Sequence, residues 1–498
     1  MIVLSILAFV GSFIIAIFAI ATLFQHFEFP TNNGATNFVM AWMLGPALIA
    51  LLLWIGFKIF PSLSQTSYIA AILLPLAAVN VVFRSAFRVV VRDVGALCHY
   101  ALRHLSLRVI RRNLVASGLF FGATTLFLVT VYNLLVMPVI ASDPLEYASL
   151  ARLIAEQRSL AGYPLDPSLE TGFYARSSHP PAYHLMIAWA YFFEPNEIFS
   201  SRLFRLIQIH YLFGIVMVMF FAAWRPGKIG YIQAALAILL LLGTPFYISL
   251  ATAFHIDPVR IPLMFLGMVF VYRLLLRLDF SNQPSRSLRE SIIPAMITGF
   301  VVGLGMFTHS IGLLLLFFST SAYFFLCRQP LSLRFAIPTI IGLTALLIGS
   351  GQFVENTIQF GVPLHDTEPV WELESVDHKT DVRFRRDLAD TGQRLGNGLF
   401  VWFSNPDLYG QSHWLALGFG LVFFRSIWRD RASRVYILAM LEFYLIAVVT
   451  MAVGVDMVIK NIRYMLTVLP FIAYVAAVGV TRAYDSIDKL LAGEPRST

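Results

Sequence analysis

The sequence is short of charge. Asp, Glu, Lys and Arg make up 13% of the 498 residues, against 58% hydrophobic, whereas a soluble domain carries roughly 25% charged and 45–50% apolar residues. A cytosolic or secreted globular enzyme does not fit that balance, and a disordered chain is excluded because it needs the opposite one. Cysteine is nearly missing: Cys98 and Cys327 are the two present, too few for a disulfide framework. Basic residues are missing from the start, since no Lys or Arg precedes Lys58. The first apolar stretch therefore reads as a membrane span and not as a cleaved signal peptide with a basic leading region.

What the chain does have is long apolar blocks. A hydrocarbon core about 30 Å thick asks for helices of about 20 apolar residues. Blocks of that kind fall at about 2–24, 38–60, 68–83, 114–141, 202–224, 229–254, 258–276, 291–308, 311–326, 335–352, 414–424, 435–454 and 464–481. The expected fold class is an all-α polytopic membrane protein with about 13 transmembrane helices.

The connections between the blocks divide by charge. Residues 84–112 hold seven arginines against the single acid Asp93, and the stretches 225–228, 273–289, 328–334 and 425–434 are also basic. With the spans as drawn these all lie on one side, which the positive-inside rule makes cytoplasmic. The net charge of +8 is thereby accounted for by topology, without nucleic acid as a partner. Both cysteines fall on this reducing side. The opposite side carries two long loops, 142–201 with seven acids and three arginines and 354–413 with ten acids and five basic residues. No cytoplasmic segment is long enough for a catalytic domain and none carries a Gly-rich nucleotide loop, so chemistry is expected outside, at the cell (inner) membrane. The expected organisation is a three-helix membrane extension (1–83), a basic cytoplasmic segment (84–113), a catalytic membrane core (114–481) and a cytoplasmic tail (482–498).

The first loop opens with Ser142-Asp143-Pro144-Leu145-Glu146-Tyr147 directly after a span. Tyr147, Leu150, Ala151 and Ile154 then recur at helical spacing and make one apolar stripe, expected to lie on the membrane surface. Asp143 has two compatible readings. With Pro144 and Glu146 it forms a capping box with proline in its favoured place, a feature that stabilises by about 1 kcal/mol. At headgroup depth its carboxylate also stands where a lipid-borne donor and a water-borne acceptor meet, as a general base requires. Further on, His179-Pro180-Pro181-Ala182-Tyr183-His184 opens an apolar run to Phe193. That run is too short to span and is expected to form a re-entrant or interfacial helix. His179 and His184, five apart, lie on different helix faces and do not make a metal pair. In the second loop, Trp371, Trp402, Phe403, Tyr409 and Trp414 stand among acids, as in sugar sites and equally at membrane interfaces.

These residues resemble the membrane-embedded glycosyltransferases of the GT-C superfamily, in the branch of aminoarabinose transferases and protein O-mannosyltransferases. Asp143 with Tyr147-Ala148 is similar to that branch's acidic segment after a span. His179-Pro180-Pro181-Ala182-Tyr183 is similar to its Lys-Pro-Pro element, and Ser201-Arg202-Leu203 to its Ala-Arg-Leu. Phe254-His255-Ile256-Asp257-Pro258 resembles an acidic outer turn, Gly303 to Gly312 the Gly-Leu-x-x-Leu-Thr-Lys-Gly turn, and Arg463-Tyr464 the start of the last conserved span. The order is shared over roughly 114–481. Three features depart from the pattern: Pro144 stands where a second acid is usual, leaving Glu146 displaced, and histidines 179 and 309 stand where lysines are usual.

The resemblance implies transfer of a sugar from a polyprenyl-phosphate donor to a hydroxyl on an extracytoplasmic acceptor (glycan, lipid or protein), with membrane lipids as the surroundings. Asp143 would be the general base. Glu146, Tyr147, His179, Tyr183, Arg202, His255, Asp257, His309, Lys460 and Arg463 would bind substrate, the cations among them meeting the departing phosphate. Interfacial anchoring is the alternative for Lys460, and helix capping for Asp257. No cofactor and no divalent metal is expected, the lipid-linked sugar being a substrate. A lipid or lipid-linked-sugar transporter or flippase is the competing class. Against it, the expected spans hold few mid-membrane acids, Glu442 being the clearest, and show no inverted repeat. An inactive cell-envelope assembly scaffold is a third reading.

Overall fold

The computed structural model describes residues 2–104, 114–139, 142–160, 180–196, 202–225, 227–279, 288–360, 410–452 and 462–491. All regular structure among them is helical. In order, the helices are α1 (Ile2–His26), α2 (Gly34–Trp42), α3 (Leu44–Ile59), α4 (Gln65–Val82), α5 (Arg84–His104), α6 (Leu114–Val136), α7 (Ser142–Gln157), α8 (Ala182–Tyr191), α9 (Arg202–Ala223) and α10 (Lys228–Leu242). They continue as α11 (Pro245–Thr252), α12 (Asp257–Asp279), α13 (Leu288–Thr308), α14 (Gly312–Leu326), α15 (Leu331–Gly349), α16 (Gly351–Phe360), α17 (Gln411–Val422), α18 (Phe424–Arg429), α19 (Arg431–Ala452), a 3₁₀ segment (Ile462–Val468) and α20 (Leu469–Leu491).

Among the described residues nine helices are long and apolar enough to cross a membrane, or eleven if each of two bent pairs counts as one span. The shorter apolar helix α14 and the 12-residue α17 occupy the two remaining blocks expected from sequence. The protein is a multi-pass membrane protein. Its exposed residues fit lipid contact, as with Leu74, Val81, Phe121, Leu347 and Leu421, each more than two-thirds exposed.

Both bent pairs answer a specific problem. A break in a spanning helix frees carbonyls that lipid cannot satisfy. At the 55° bend between α2 and α3, the ring of His210 hydrogen-bonds the carbonyl of Trp42 at 2.7 Å. The Trp42 indole donates in return to the His210 carbonyl at 3.1 Å, and the two rings stack 4.8 Å apart. At the 63° bend between α10 and α11, the hydroxyls of Thr244 and Ser412 both donate to the carbonyl of Leu240, at 3.0 and 3.1 Å.

The helices gather into two compact units, one of residues 1–101, 134–215 and 253–374, the other of 102–133, 216–252 and 375–498. In the first, α1 packs on α2, α3 and α4, while α3 and α13 both lie against α8. Residues 1–83, read from sequence as a separate extension, belong to the same unit as the first loop. The basic helix α5 is anchored to them, for Asp93 accepts from the Gly34 amide at 2.9 Å and Phe87 meets Phe18 edge-on. The most intimate helix pair is α13 with α15. Gly299 and Gly303, one turn apart, let the backbones approach so closely that a β-carbon on Gly303 would lie 2.7 Å from the Ile348 side chain and 2.9 Å from the Ala345 carbonyl. Small residues at this spacing are how membrane helices gain packing where no hydrophobic force drives them together. In the second unit α20 packs against α10, α17 and α19. Asp430 caps α19 by accepting from Ser433 and also faces Arg225 at 3.5 Å and the Tyr474 hydroxyl at 3.3 Å.

Gly303→Val should destabilise the protein by about 2 kcal/mol through overpacking. Gly118→Val, where no atom lies within 4 Å of the added carbon, should stay within about 0.5 kcal/mol. Thermal unfolding of the two variants in detergent checks the contrast.

Candidate active site

The two short helices of the first loop form the floor of the site. Tyr147, Leu150, Ala151 and Ile154 of α7 are each buried, and the stripe they make packs on α8. The stripe expected to rest on the membrane surface is therefore a protein contact. Helix α8 is buried at every one of its ten residues. Its Trp189 donates to Ser12 of α1 at 2.9 Å. Tyr147 meets Tyr183 and His184 edge-on at 5.4 and 5.3 Å.

Above that floor runs the turn between α11 and α12. Phe254 adopts φ +62, a region where a side chain crowds the following carbonyl and which non-glycine residues hold only under constraint. The constraints are visible. The Tyr183 hydroxyl donates to the Phe254 carbonyl at 3.0 Å, and the Gln208 amide donates both to that hydroxyl, at 2.6 Å, and to the His255 carbonyl, at 2.9 Å. The Phe254 ring lies against Phe204 and under the Arg205 guanidinium, 5.1 Å away. Arg205 in turn donates to the carbonyls of Leu134 and Met137, both at 2.7 Å, where the end of α6 leaves acceptors without helical partners. Just past the turn, Asp257 opens α12 and pairs with Arg260 one helical turn on, both fully buried.

This scaffold sets His255 opposite Asp143: Nδ1 of the ring lies 3.8 Å from Oδ2 of the carboxylate. Both keep some solvent access, 16% and 18% of the side chain, unlike the closed Asp257–Arg260 pair. Asp143 stands inside the first turn of α7, one or two residues further in than the N-cap expected from sequence. There its charge complements the positive end of the helix dipole.

Burial pushes the Tyr183 hydroxyl well above its ordinary range, and nearby Asp257 adds to this while the Gln208 hydrogen bond opposes it. The phenol is therefore a neutral donor. Burial lowers the His184 ring from 6.5 to about 3, so it too is neutral.

The remaining candidates are dispersed. Glu146 lies half-buried on α7 and Arg202 is exposed at the start of α9. His309 is fully buried at the end of α13, where its Nδ1 accepts from the Ile311 amide at 3.1 Å. Arg463, in the second unit, is 5% exposed with its guanidinium 5.7 Å from the Tyr464 ring. His179 and Lys460 lie outside the described residues. Gln208, Arg205 and Arg260 were not singled out from sequence. Their signal was polar side chains inside apolar spans, which mark functional or structural polar contacts. The described residues bring together no group of three or more His, Cys, Asp or Glu in metal-binding geometry. A cavity of about 200 Å³ beside Arg152, Glu156, Arg158 and Tyr191 lies at the other end of α7, about 20 Å from Asp143 by helix rise.

The fold and this site define a polytopic, all-helical membrane protein with a constrained Asp–His pair at the head of a buried two-helix floor. The sequence matches no protein-family model and no curated protein. Among solved structures it is similar to ArnT from Cupriavidus metallidurans bound to undecaprenyl phosphate, with a TM-score of 0.45 and 16% identity over 75% of this chain. The chain spans 62% of the length of that structure.

Two outcomes are expected. The unfolded His184 ring takes a proton near 6.5 and the folded ring only near 3, so acid favours the unfolded chain. Stability should be full above pH 6.5 and fall below it, by up to about 1.4 kcal/mol per pH unit. His184→Gln should flatten that slope between pH 6.5 and 4, as read by unfolding in detergent at each pH. Tyr183→Phe, which removes the donor to Phe254, should cost about 1–2 kcal/mol in the same assay.

Proposed function

We propose that the protein is a membrane glycosyltransferase that moves a sugar from a polyprenyl-phosphate donor to a hydroxyl acceptor on the extracytoplasmic face, with Asp143 driving removal of the acceptor's proton. The observation that supports this reading is convergence. Three segments that resemble GT-C elements in order, 143–148, 179–183 and 254–258, meet through Asp143 with His255, Tyr147 with Tyr183, and Tyr183 with Phe254. Among the residues that meet there, Asp143 and His255 are a carboxylate and an imidazole with partial solvent access.

In the proposed reaction the acceptor oxygen attacks the anomeric carbon and loses its proton at the Asp143–His255 pair. The bond from that carbon to the phosphate oxygen breaks, and its electron pair leaves with the polyprenyl phosphate. Cations meet the growing charge on the phosphate. Arg202 fits this role as an exposed cation one loop away from the floor helices. The long prenyl chain lies in the bilayer among the spans. The outward orientation is supported by the grouping of the basic connections on the opposite side, and the inner membrane is the proposed location.

The reading is tested with purified protein in lipid and a panel of radiolabelled polyprenyl-phosphate pentoses and hexoses. Wild type should consume at least one donor. Asp143→Asn should bind that donor with similar affinity and turn it over about a hundredfold or more slowly, the range ascribed to general-base catalysis. No consumption of any donor by wild type would overturn the transferase reading. Equal rates in wild type and variant would remove Asp143 from the chemistry.

A further inference from the structure

We infer that helix α5 is a binding surface for anionic phospholipid, with Arg84 and Arg88 holding the headgroup phosphate of a lipid in the leaflet on the protein's basic side. This surface takes no part in the proposed reaction and is independent of it.

The contacts of α5 set its depth. Span α4, which leads into it, ends beside the end of α1. The Thr22 hydroxyl donates to the Asn80 side chain at 2.8 Å, and the rings of His26 and Phe83 lie 4.4 Å apart. Val81 and Val82, the last residues of α4, are 74% and 72% exposed, as side chains in contact with hydrocarbon are. Arg84 follows two residues later, no more than about 7 Å along the chain. It therefore stands where hydrocarbon gives way to headgroups. From there the apolar face of α5 packs onto protein. Ala86 and Val90 are buried, and Phe87 meets Phe18 of α1 at 5.6 Å. The Val90 backbone comes so near Gly34 that a β-carbon there would lie 2.7 Å from its Cα, and Asp93 accepts from the Gly34 amide at 2.9 Å.

The opposite face carries Arg84, Arg88 and Arg92 at i, i+4 and i+8, all exposed. Residues four apart on a helix are neighbours, with β-carbons about 5–6 Å apart, and like charges so placed destabilise it unless a counter-charge answers them. Arg92 is answered by Asp93 at 2.9 Å, the one acid of the helix. Arg84 and Arg88 make no ion pair among the described residues. Two guanidinium groups one turn apart at headgroup depth suit a lipid phosphate, whose contacts with arginine are charge-assisted and bidentate. Attraction to an anionic lipid surface strengthens by about fivefold for each basic residue near it. A zwitterionic lipid offers the same phosphate but brings its own cation, so the selection is by net charge. A soluble acidic partner would match the arginines but not the exposed valines 81, 82 and 91 that flank and separate them.

The test reads lipid at the helix itself. Bimane is attached to a cysteine introduced by Val91→Cys in a Cys98→Ser background, Cys327 being buried. The full-length protein is placed in bilayers of phosphatidylglycerol and phosphatidylcholine, with one or the other brominated on its chains. Quenching should show phosphatidylglycerol favoured by about five- to twenty-five-fold, the range for one to two arginines. Arg84→Gln with Arg88→Gln should bring the ratio to within about twofold of one, whereas Arg84→Lys with Arg88→Lys should keep at least half of it. Arg425→Gln with Arg429→Gln removes the same charge from exposed positions on α18 and should leave the ratio unchanged. Each single glutamine variant on α5 should lose part of the preference, and these decide the matter if the double variant does not fold. Equal quenching by the two lipids before any arginine is replaced would overturn the inference. So would a preference that survives the α5 glutamines or falls equally with those on α18. No quenching by either lipid would show this face turned away from the bilayer and would overturn it as well.

Discussion

The hydroxyl of Tyr183 is buried in a place where water cannot serve it, so it must find protein partners on both its donor and its acceptor side. It finds them in the Phe254 carbonyl and the Gln208 amide. Because an unmet polar group at such depth costs several kcal/mol, this small requirement fixes much else. It ties α8 to the turn before α12, and Gln208 extends the tie to α9. The turn is thereby held in a conformation that its own residues would not choose. The orientation of His255 toward Asp143 is a consequence of that chain of obligations.

The charged pairs divide by access to solvent. Asp257 and Arg260 have none, and a buried ion pair of this kind is better understood as fixing a unique arrangement than as adding stability. Its carboxylate pairs with the Arg260 guanidinium within its own helix. Asp143 and His255 keep partial access. The same distinction runs through the histidines. His184 is sealed in and neutral across physiological pH, His210 serves the carbonyl of a broken helix, and His255 faces the Asp143 carboxylate.

Much of this was legible in the sequence because it follows from periodicity and composition. Every apolar block coincides with a helix or a bent helix pair, and the stripe of Tyr147, Leu150, Ala151 and Ile154 is the buried face of α7. The meeting of Asp143 with His255 was not legible. The two are 112 positions apart, and spacing within a helix says nothing about contacts between helices. The broken spans were hidden for a related reason, since hydropathy averages over the bend at Met43 and Thr244 as if it were straight. The surface placement of α7 was a sound inference from an amphipathic pattern, but an apolar stripe meets lipid and protein on equal terms. The packing of that stripe on α8 decides between them. Gln208 and Arg205 were passed over because each is a single polar residue in an apolar run, and their partners, the Tyr183 hydroxyl and backbone carbonyls, are ones that no sequence pattern displays.

Helix α8 has lining neighbours drawn from both early and late stretches of the chain, α1 and α3 before it and α13 after it. It is ten residues long, about half of what would let it rest in a bilayer as a span by itself. A chain threaded into the membrane from its N-terminus would therefore have this helix on hand before its last wall exists. The packing that encloses α8 is therefore complete only once α13 has been made.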